Sequence, residues 1–131
     1  MSDVVGTRGI VVAHGAMAEG LVDAVRRIAG GAADALSPLS NEGLSPLDLK
    51  SALDRLAGDG PTIVFADLMS GSCGMAALVS ARESSARAVV CGVNLPILLD
   101  FVFHRDLPVD ELLPRLVGKG RDGIRTLPAP C

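Results

Sequence analysis

The chain has 131 residues and a formal net charge of −3 at pH 7, and 49% of its residues are hydrophobic. This length and composition favour a single domain over residues 1–131 with a sizeable core. The sequence has no basic block and only three aromatic residues, all Phe, which argues against nucleic-acid binding through phosphates or base stacking. No apolar run approaches the roughly 20 residues of a membrane span. Because the N-terminus shows no signal-peptide pattern, we expect a cytoplasmic protein.

The three cysteines, Cys73, Cys91 and Cys131, are odd in number and show no Cys-x-x-Cys spacing. This pattern favours reduced thiols over a disulfide framework or a zinc site. We therefore predict no metal ion, and the sequence indicates no cofactor.

Five short apolar segments predict strands, namely Arg8 to Ala13, Ala33 to Leu39, Thr62 to Ala66, Arg87 to Cys91 and Gly123 to Leu127. The second segment is ambiguous, and we expect it near the edge of the sheet because Pro38 cannot donate to a ladder. The last segment is weak by itself.

Helical patterns separate these strands. Met17, Leu21, Val25 and Ile28 recur at helical spacing and predict the buried face of a first helix. A second helix is predicted to start at Ser45-Pro46, and a third to span Met75 to Arg82 after a loop over Met69 to Gly74. Two more are predicted over Asn94 to Phe103 and from about Asp110 to Gly118. The last boundary places Pro114 in the first helical turn, where a missing N–H matters least.

The alternation of strands and helices predicts the fold class. Strands that are apolar on both faces are typical of an α/β domain with a doubly wound, mostly parallel sheet flanked by helices on both faces. Ligands of such folds bind at the carboxyl ends of the strands. His14 and Asp67 each follow a predicted strand, so both are candidate site residues.

These two residues suit nucleophilic chemistry. A carboxylate beside an imidazole holds one ring N–H and leaves the other nitrogen as the nucleophile. Gly71 and Ser72 lie in a small-residue segment before a predicted helix, where backbone amides favour an anion. Together, the four residues suggest a histidine that carries a phosphoryl group.

Other uses of the same architecture fit less well. A flavodoxin would stack its flavin on aromatic side chains, a receiver domain needs acidic residues after its first strand, and a serine hydrolase needs a Gly-x-Ser-x-Gly elbow. His104 is interpreted as a solvated residue at a helix end without a functional role, because nothing in its neighbourhood forms a constellation of reactive groups.

Four motifs in order, "GIVVAHGAMAEGLVDAVRRIAG", "IVFADLMSGSCGMAAL", "GVNLPILLDFV" and "GRDGIRTL", resemble the enzyme IIA domain of the mannose family of the phosphoenolpyruvate-dependent sugar phosphotransferase system. The resemblance runs from about Gly9 to Leu127. It implies that His14 accepts phosphate from the phosphocarrier HPr and passes it to a separate IIB domain. It also implies that Asp67 orients His14 and that Ser72 is the serine of the phosphate loop.

The resemblance further implies a homodimer in which the C-terminal strand, Gly123 to Leu127, is exchanged between subunits as an antiparallel strand. One motif departs from the family pattern: its loop usually reads Gly-Gly-Ser-Pro, whereas this chain has Ser70-Gly71-Ser72-Cys73. Two uses of the phosphate fit the sequence. One is sugar uptake, and the other is a regulatory relay in which another partner recognises the phosphorylation state. A third alternative is the phosphoryl-donor subunit of a dihydroxyacetone kinase.

Overall fold

The structure is a computed structural model that describes residues 6–128. A sheet of four parallel strands forms its centre: β1 (Arg8–Ala13), β2 (Leu36–Ser40), β3 (Thr62–Ala66) and β4 (Arg87–Cys91). Their order across the sheet is β2-β1-β3-β4. The predicted fold class is confirmed, and β1, β3 and β4 have the bounds that the sequence predicts.

Helices connect and flank these strands. The described part of the chain contains α1 (Met17–Ala29), α2 (Pro46–Ala57), α3 (Gly71–Arg82), α4 (Leu95–Phe103) and α5 (Val109–Asp122). Ser45 and Asn94 cap α2 and α4, because their side-chain oxygens accept hydrogen bonds from backbone amides in the first helical turn. Among residues 6–128, no helix has both the length and the apolarity that crossing a bilayer requires.

The two central strands, β1 and β3, are buried on both faces, which explains their unbroken apolar runs. Val11 and Ala13 of β1 belong to the core that α1, α4 and α5 cover, whereas Ile10 and Val12 belong to the core beneath α2 and α3. Successive side chains of a strand point to opposite faces. A continuous apolar segment is therefore what a central strand between two helical layers needs.

The strand order places a switch point between β1 and β3. The chain leaves β1 towards β2 on one side, while β3 lies on the other side and continues to β4. The loops that follow β1 and β3 therefore diverge and leave a crevice at the carboxyl ends of these strands. Val12 pairs with Ala66 in the register, so the residues just after these two strands emerge side by side.

Strand β2 lies at the edge of the sheet, as Pro38 predicts. It begins at Leu36 rather than at Ala33, because residues Gly30–Ala35 form a 3-10 helix. The ambiguous segment is thus part helix and part edge strand.

The buried face of the first helix matches the predicted one only in part: Val25 is buried and Leu21 is partly buried against the core. Ala18, Val22 and Val25 are its buried residues, whereas Met17 and Ile28 are 44% and 61% exposed. Small Ala18 lets α1 pack closely on the sheet, so the larger Met17 is left at the surface beside His14.

The third helix begins at Gly71 and not at Met75, so the predicted loop over Met69 to Gly74 is too long. Glycines in this stretch indicated a loop, but Gly74 is required within the helix. A Cβ atom there would lie only 2.4 Å from the Met69 carbonyl oxygen and 2.6 Å from that of Leu68.

The last helix also departs from its predicted bounds. It starts at Val109, which makes Pro114 its sixth residue and places that proline inside the helix. An interior proline costs about 3 kcal/mol. Leu112 and Leu116 are fully buried on the same helix, and each buried leucine contributes roughly 1.5–3 kcal/mol, so packing offsets that cost.

The C-terminal segment forms no strand within the described part of the single chain. Residues 123–128 pair with none of the four strands, and Ile124 and Leu127 are 76% and 84% exposed. A strand needs a neighbour to pair with, and this segment joins neither edge of its own sheet. Its exchange between two chains stays a prediction.

Candidate functional site

His14 lies at the switch point, directly after β1. Gly15 follows it with φ +59°, a conformation that glycine adopts without strain. This turn sends the chain into α1, and the Met17 amide donates to the His14 carbonyl oxygen at 3.2 Å. The imidazole is left 43% exposed, so a partner molecule can reach it.

Asp67 follows β3 and holds His14 in two ways. Its Oδ2 lies 3.0 Å from the His14 backbone nitrogen and 2.8 Å from the ring Nδ1. The other oxygen, Oδ1, accepts from the Leu68 amide at 2.9 Å. The carboxylate is only 8% exposed, so its position is set by these bonds rather than by solvent.

Electrostatics keep the Asp67 side chain ionised. Burial alone would raise its pKa, but the hydrogen bonds from the backbone and ring of His14, together with the Leu68 amide, outweigh that effect and hold the pKa below its ordinary value. An ionised carboxylate only accepts hydrogen bonds. Nδ1 of His14 therefore donates, and the lone pair of the neutral ring is on Nε2.

Nε2 faces the start of α3. A Cβ built on Gly71 would lie 3.8 Å from this nitrogen, so the loop backbone passes directly beside the free side of the ring. Gly71 has φ +88°, which a residue with a side chain rarely adopts. The left-handed turn is therefore what requires glycine here, since a Cβ would make only ordinary van der Waals contact with the ring.

The amino-terminal end of α3 has free capacity for an anion. Ser70 is its N-cap residue but makes no side-chain capping bond, in contrast to Ser45, whose Oγ accepts from the Asp48 amide at 3.1 Å. The first amides of a helix lack partners within the helix. Gly71 and Ser72 are the first two residues of α3, so the predicted phosphate-binding residues lie next to His14.

The loop after β2 braces the His14 turn, and the sequence reasoning missed it. The Gly15 amide donates to Asn41 Oδ1 at 3.2 Å, and the Ser40 hydroxyl donates to the Gly15 carbonyl at 2.8 Å. Both residues follow the rule that identified His14 and Asp67, because they lie at the carboxyl end of a parallel strand.

Cys73 lies beneath the His14–Asp67 pair. Its side chain is fully buried in the first turn of α3. Ligand atoms of His14, Asp67 and Cys73 all lie within 4.8 Å of one another. Burial, and then the charge of Asp67, raises the pKa of the Cys73 thiol, so the group is a neutral thiol at neutral pH.

His104 lies at the end of α4, as predicted, and its side chain is 36% exposed, but the ring is hydrogen-bonded on both sides. Its Nδ1 lies 2.8 Å from the Asp100 carbonyl oxygen, and its Nε2 lies 3.1 Å from Arg115 Nη2. Arg115 also forms two bonds to the Asp100 carboxylate, at 2.8 and 3.1 Å. Because both ring nitrogens have partners, His104 presents no free nucleophile. Asp100 lies one turn earlier on α4, whereas Arg115 comes from α5.

Fold and site together define a class of protein: a doubly wound parallel α/β domain with a histidine–aspartate pair at the switch point of its sheet. Residues 9–113 match the family described as "PTS system fructose IIA component", the EIIA-man family, and the chain belongs to that family. Its members are phosphotransferase-system components. No curated protein sequence matches the chain significantly.

Solved structures agree with this assignment. The chain is similar to the mannose/sorbose-specific IIA subunit of the phosphotransferase system from Enterococcus faecalis, with 27% identity and a TM-score of 0.85 over 97% of this chain and 98% of that one. It is similar to phosphotransferase component EIIA from Streptococcus agalactiae, with 26% identity and a TM-score of 0.85 over 92% and 96%. A sigma-54 interaction domain protein from Enterococcus faecalis shares the fold alone, with 11% identity and a TM-score of 0.72 over 92% and 98%.

Proposed function

We propose that this chain is a phosphoryl carrier in which His14 accepts a phosphoryl group from HPr and passes it to a separate IIB domain. One observation carries the proposal: Asp67 Oδ2 lies 2.8 Å from Nδ1, which leaves Nε2 as a free and partly exposed nucleophile. Family membership supplies the class of donor and acceptor.

The transfer needs no proton movement at His14. Nε2 attacks phosphorus, an Nε2–P bond forms, and the P–N bond to the donor histidine of HPr breaks with its electron pair returning to that ring. The Nδ1–H stays on His14 throughout. Asp67 stabilises the positive charge that the phosphorylated ring then carries, because the carboxylate is already in contact with Nδ1.

The start of α3 supplies donors for the phosphoryl oxygens. Backbone amides at Gly71 and Ser72 lie at the positive end of a helix of 12 residues. Neutral donors hold a phosphate less firmly than a cluster of Arg or Lys would. Moderate binding suits a carrier, since the group must leave again for the IIB domain.

An exposed apolar rim near the site suits contact with two successive partners. Met17, Leu68, Met69 and Met75 are 44%, 55%, 79% and 54% exposed, and they come from the start of α1, the loop after β3 and the first turns of α3. Methionine side chains adapt to differently shaped surfaces. We assign this rim to the docking of HPr and then of the IIB domain.

A homodimer is also part of the proposal. β4 is the other edge of the sheet, and beside it lies a cavity of about 710 Å³ lined in part by Val90, Ile97, Val117 and Ile124. The exposed segment 123–127 of a second chain would pair with the free edge of β4 through backbone hydrogen bonds, and its apolar side chains would contact the cavity.

Transfer to a partner tests the function directly. The chain is phosphorylated with phosphoenolpyruvate, enzyme I and HPr, freed of these proteins, and mixed with candidate IIB domains. Loss of label from His14 to a IIB domain supports a role in sugar uptake. Retention of the label with every IIB domain, together with its transfer to a dihydroxyacetone kinase or recognition by a regulator, supports the alternatives instead.

A further inference from the structure

Three different metal-ligand types meet at one point beside β1 and β3. His14, Asp67 and Cys73 supply a nitrogen, an oxygen and a sulfur atom, all within 4.8 Å of one another. Within residues 6–128, this is the one group of at least three His, Cys, Asp or Glu residues with such spacing. Phosphoryl transfer uses His14 and Asp67 but gives the Cys73 thiol no task.

Although the spacing of the cysteines predicts no metal ion, we propose that His14, Asp67 and Cys73 form a binding site for a thiophilic divalent cation, with zinc as the ion that fits best. Thiolate and imidazole ligands select zinc over hard cations such as magnesium and calcium, which prefer oxygen. Three protein ligands with one open position are the usual composition of an exchangeable zinc site. In catalytic sites of this kind a water molecule occupies the fourth position.

The distances require only a small adjustment. Zinc bonds of about 2.0–2.3 Å place tetrahedral ligand atoms about 3.3–3.6 Å apart. His14 Nδ1 and Asp67 Oδ2 lie closer than this, at 2.8 Å. No two of the three ligand atoms are more than 4.8 Å apart. Shifts of about 1 Å in the side chains of His14 and Cys73 would bring the three ligand atoms to these separations.

Zinc binding at Nδ1 changes the state of the ring. The ion bonds to the Nδ1 lone pair, the Cys73 thiol loses its proton to solvent as the Zn–S bond forms, and the single N–H of the neutral imidazole moves to Nε2. A protonated Nε2 has no lone pair with which to attack phosphorus. The zinc-loaded chain is therefore not phosphorylated; this consequence rests on the proposed function, whereas zinc binding itself does not.

Calorimetric titration of zinc into the metal-free protein tests the site without HPr. The starting chain carries Cys91→Ser and Cys131→Ser, which removes thiols outside the group. We expect one zinc ion per chain. Cys73→Ala in this background should weaken binding by at least about 10- to 100-fold, the range seen even when outer partners of metal ligands are lost. Absence of stoichiometric binding, or equal affinity of the Cys73→Ala chain, would overturn the proposal.

Cobalt(II) binding provides a second measurement, which does not depend on whether a Cys73 variant folds. Cobalt bound in place of zinc should show intense visible bands of tetrahedral geometry and a near-ultraviolet thiolate-to-metal charge-transfer band. His104→Gln should leave the spectrum unchanged, because His104 lies outside the group. A weak octahedral spectrum without the charge-transfer band would show that Cys73 is not a ligand.

Labelling with and without zinc then separates the two proposals. For each chain, the labelling rate with zinc is compared with its own rate without zinc. Zinc should suppress phosphorylation of the Cys91→Ser/Cys131→Ser chain and have a much smaller effect on its Cys73→Ala form. Suppression to the same degree in both would overturn the inhibitory role of the site. A chain that binds zinc through Cys73 but is never labelled, even without zinc, would instead contradict the phosphoryl-carrier function and leave the metal site standing.

Discussion

One oxygen atom of Asp67 contacts two nitrogen atoms of His14, the backbone nitrogen at 3.0 Å and the ring Nδ1 at 2.8 Å. The first contact fixes where His14 leaves β1, and the second fixes the rotation and tautomer of its ring. Because the carboxylate is nearly buried, water does not compete effectively for either bond. The geometry of the nucleophile is thus set by a neighbouring strand.

Asp67→Ala should slow phosphorylation of His14 by about 10²- to 10⁴-fold, the usual scale for a positioned acid–base partner. The imidazole remains present, so slow labelling should persist. The measurement is the rate of label transfer from phosphorylated HPr. The control is Asp100→Ala, which removes the carboxylate beside the other histidine, His104, and should leave the rate near that of the parent. Equal rates for the parent and the Asp67→Ala chain would show that Asp67 only braces the loop.

Gly71→Ala should slow phosphorylation through the backbone of the phosphate loop. The new Cβ has room, at 3.7 Å from His14 Cε1, but φ +88° costs a residue with a side chain roughly 1–2 kcal/mol. The loop is expected to relax away from Nε2.

Gly43→Ala is a matched control for this change. Gly43 has a similar φ of +73° and open space around its Cβ position, so it should lose a similar amount of stability by urea unfolding. Its phosphorylation rate should stay near that of the parent. If both variants slow equally, the effect comes from general destabilisation and not from the loop beside His14.

Removal of residues 124–131 should convert the expected dimer into monomer or aggregate, measured by size-exclusion chromatography with light scattering. The cut is best placed after Gly123, because α5 extends to Asp122 and the Gly120 carbonyl accepts from Asn94 Nδ2 at 3.0 Å. A chain ending at Pro128 serves as the control and should stay dimeric. A stable, concentration-independent dimer of the shorter chain would contradict strand exchange.

Asp54 should make stability fall at acid pH. Burial alone would raise its pKa, but hydrogen bonds from Lys50 and Ser80 and the charges of Lys50 and Arg87 outweigh this and lower the pKa below its ordinary value. A carboxyl group with a depressed folded-state pKa contributes stability above its unfolded pKa, near 3.9, and that contribution is lost as pH falls through the folded value.

Urea unfolding as a function of pH checks this expectation. The parent should lose free energy of unfolding more steeply below about pH 4 than Asp54→Asn does. Asp59→Asn is the control, since Asp59 lies exposed in the turn before β3 and should keep the parent profile. Identical acid profiles for the parent and Asp54→Asn would contradict the assigned role of this ion pair.

The sequence predicted what depends on local pattern. The bounds of β1, β3 and β4 could be predicted because each of these strands is a short, mostly apolar run bounded by turn or polar residues. The same pattern placed His14 and Asp67 at strand ends. Their contact follows from the pairing of β1 with β3, and this pairing cannot be predicted from a local sequence pattern.

The errors came from tertiary packing. Gly71 and Gly74 indicated a loop but belong to α3, because Gly74 allows close approach of the preceding carbonyls. Pro114 indicated a helix start but is tolerated within α5, where buried leucines compensate. The contact of His104 with Arg115 was not predicted, since Arg115 reaches it from the next helix.

The position of the phosphate tests the central claim most directly. The parent chain, incubated with phosphoenolpyruvate, enzyme I and HPr, should acquire one acid-labile and base-stable phosphate per chain. His14→Gln should abolish the label, and His104→Gln should leave it intact, because both nitrogens of that ring already have partners. Two results would contradict this mechanism. One is a label that persists in the His14→Gln chain, and the other is a label that survives acid, as a phosphoserine at Ser70 or Ser72 does.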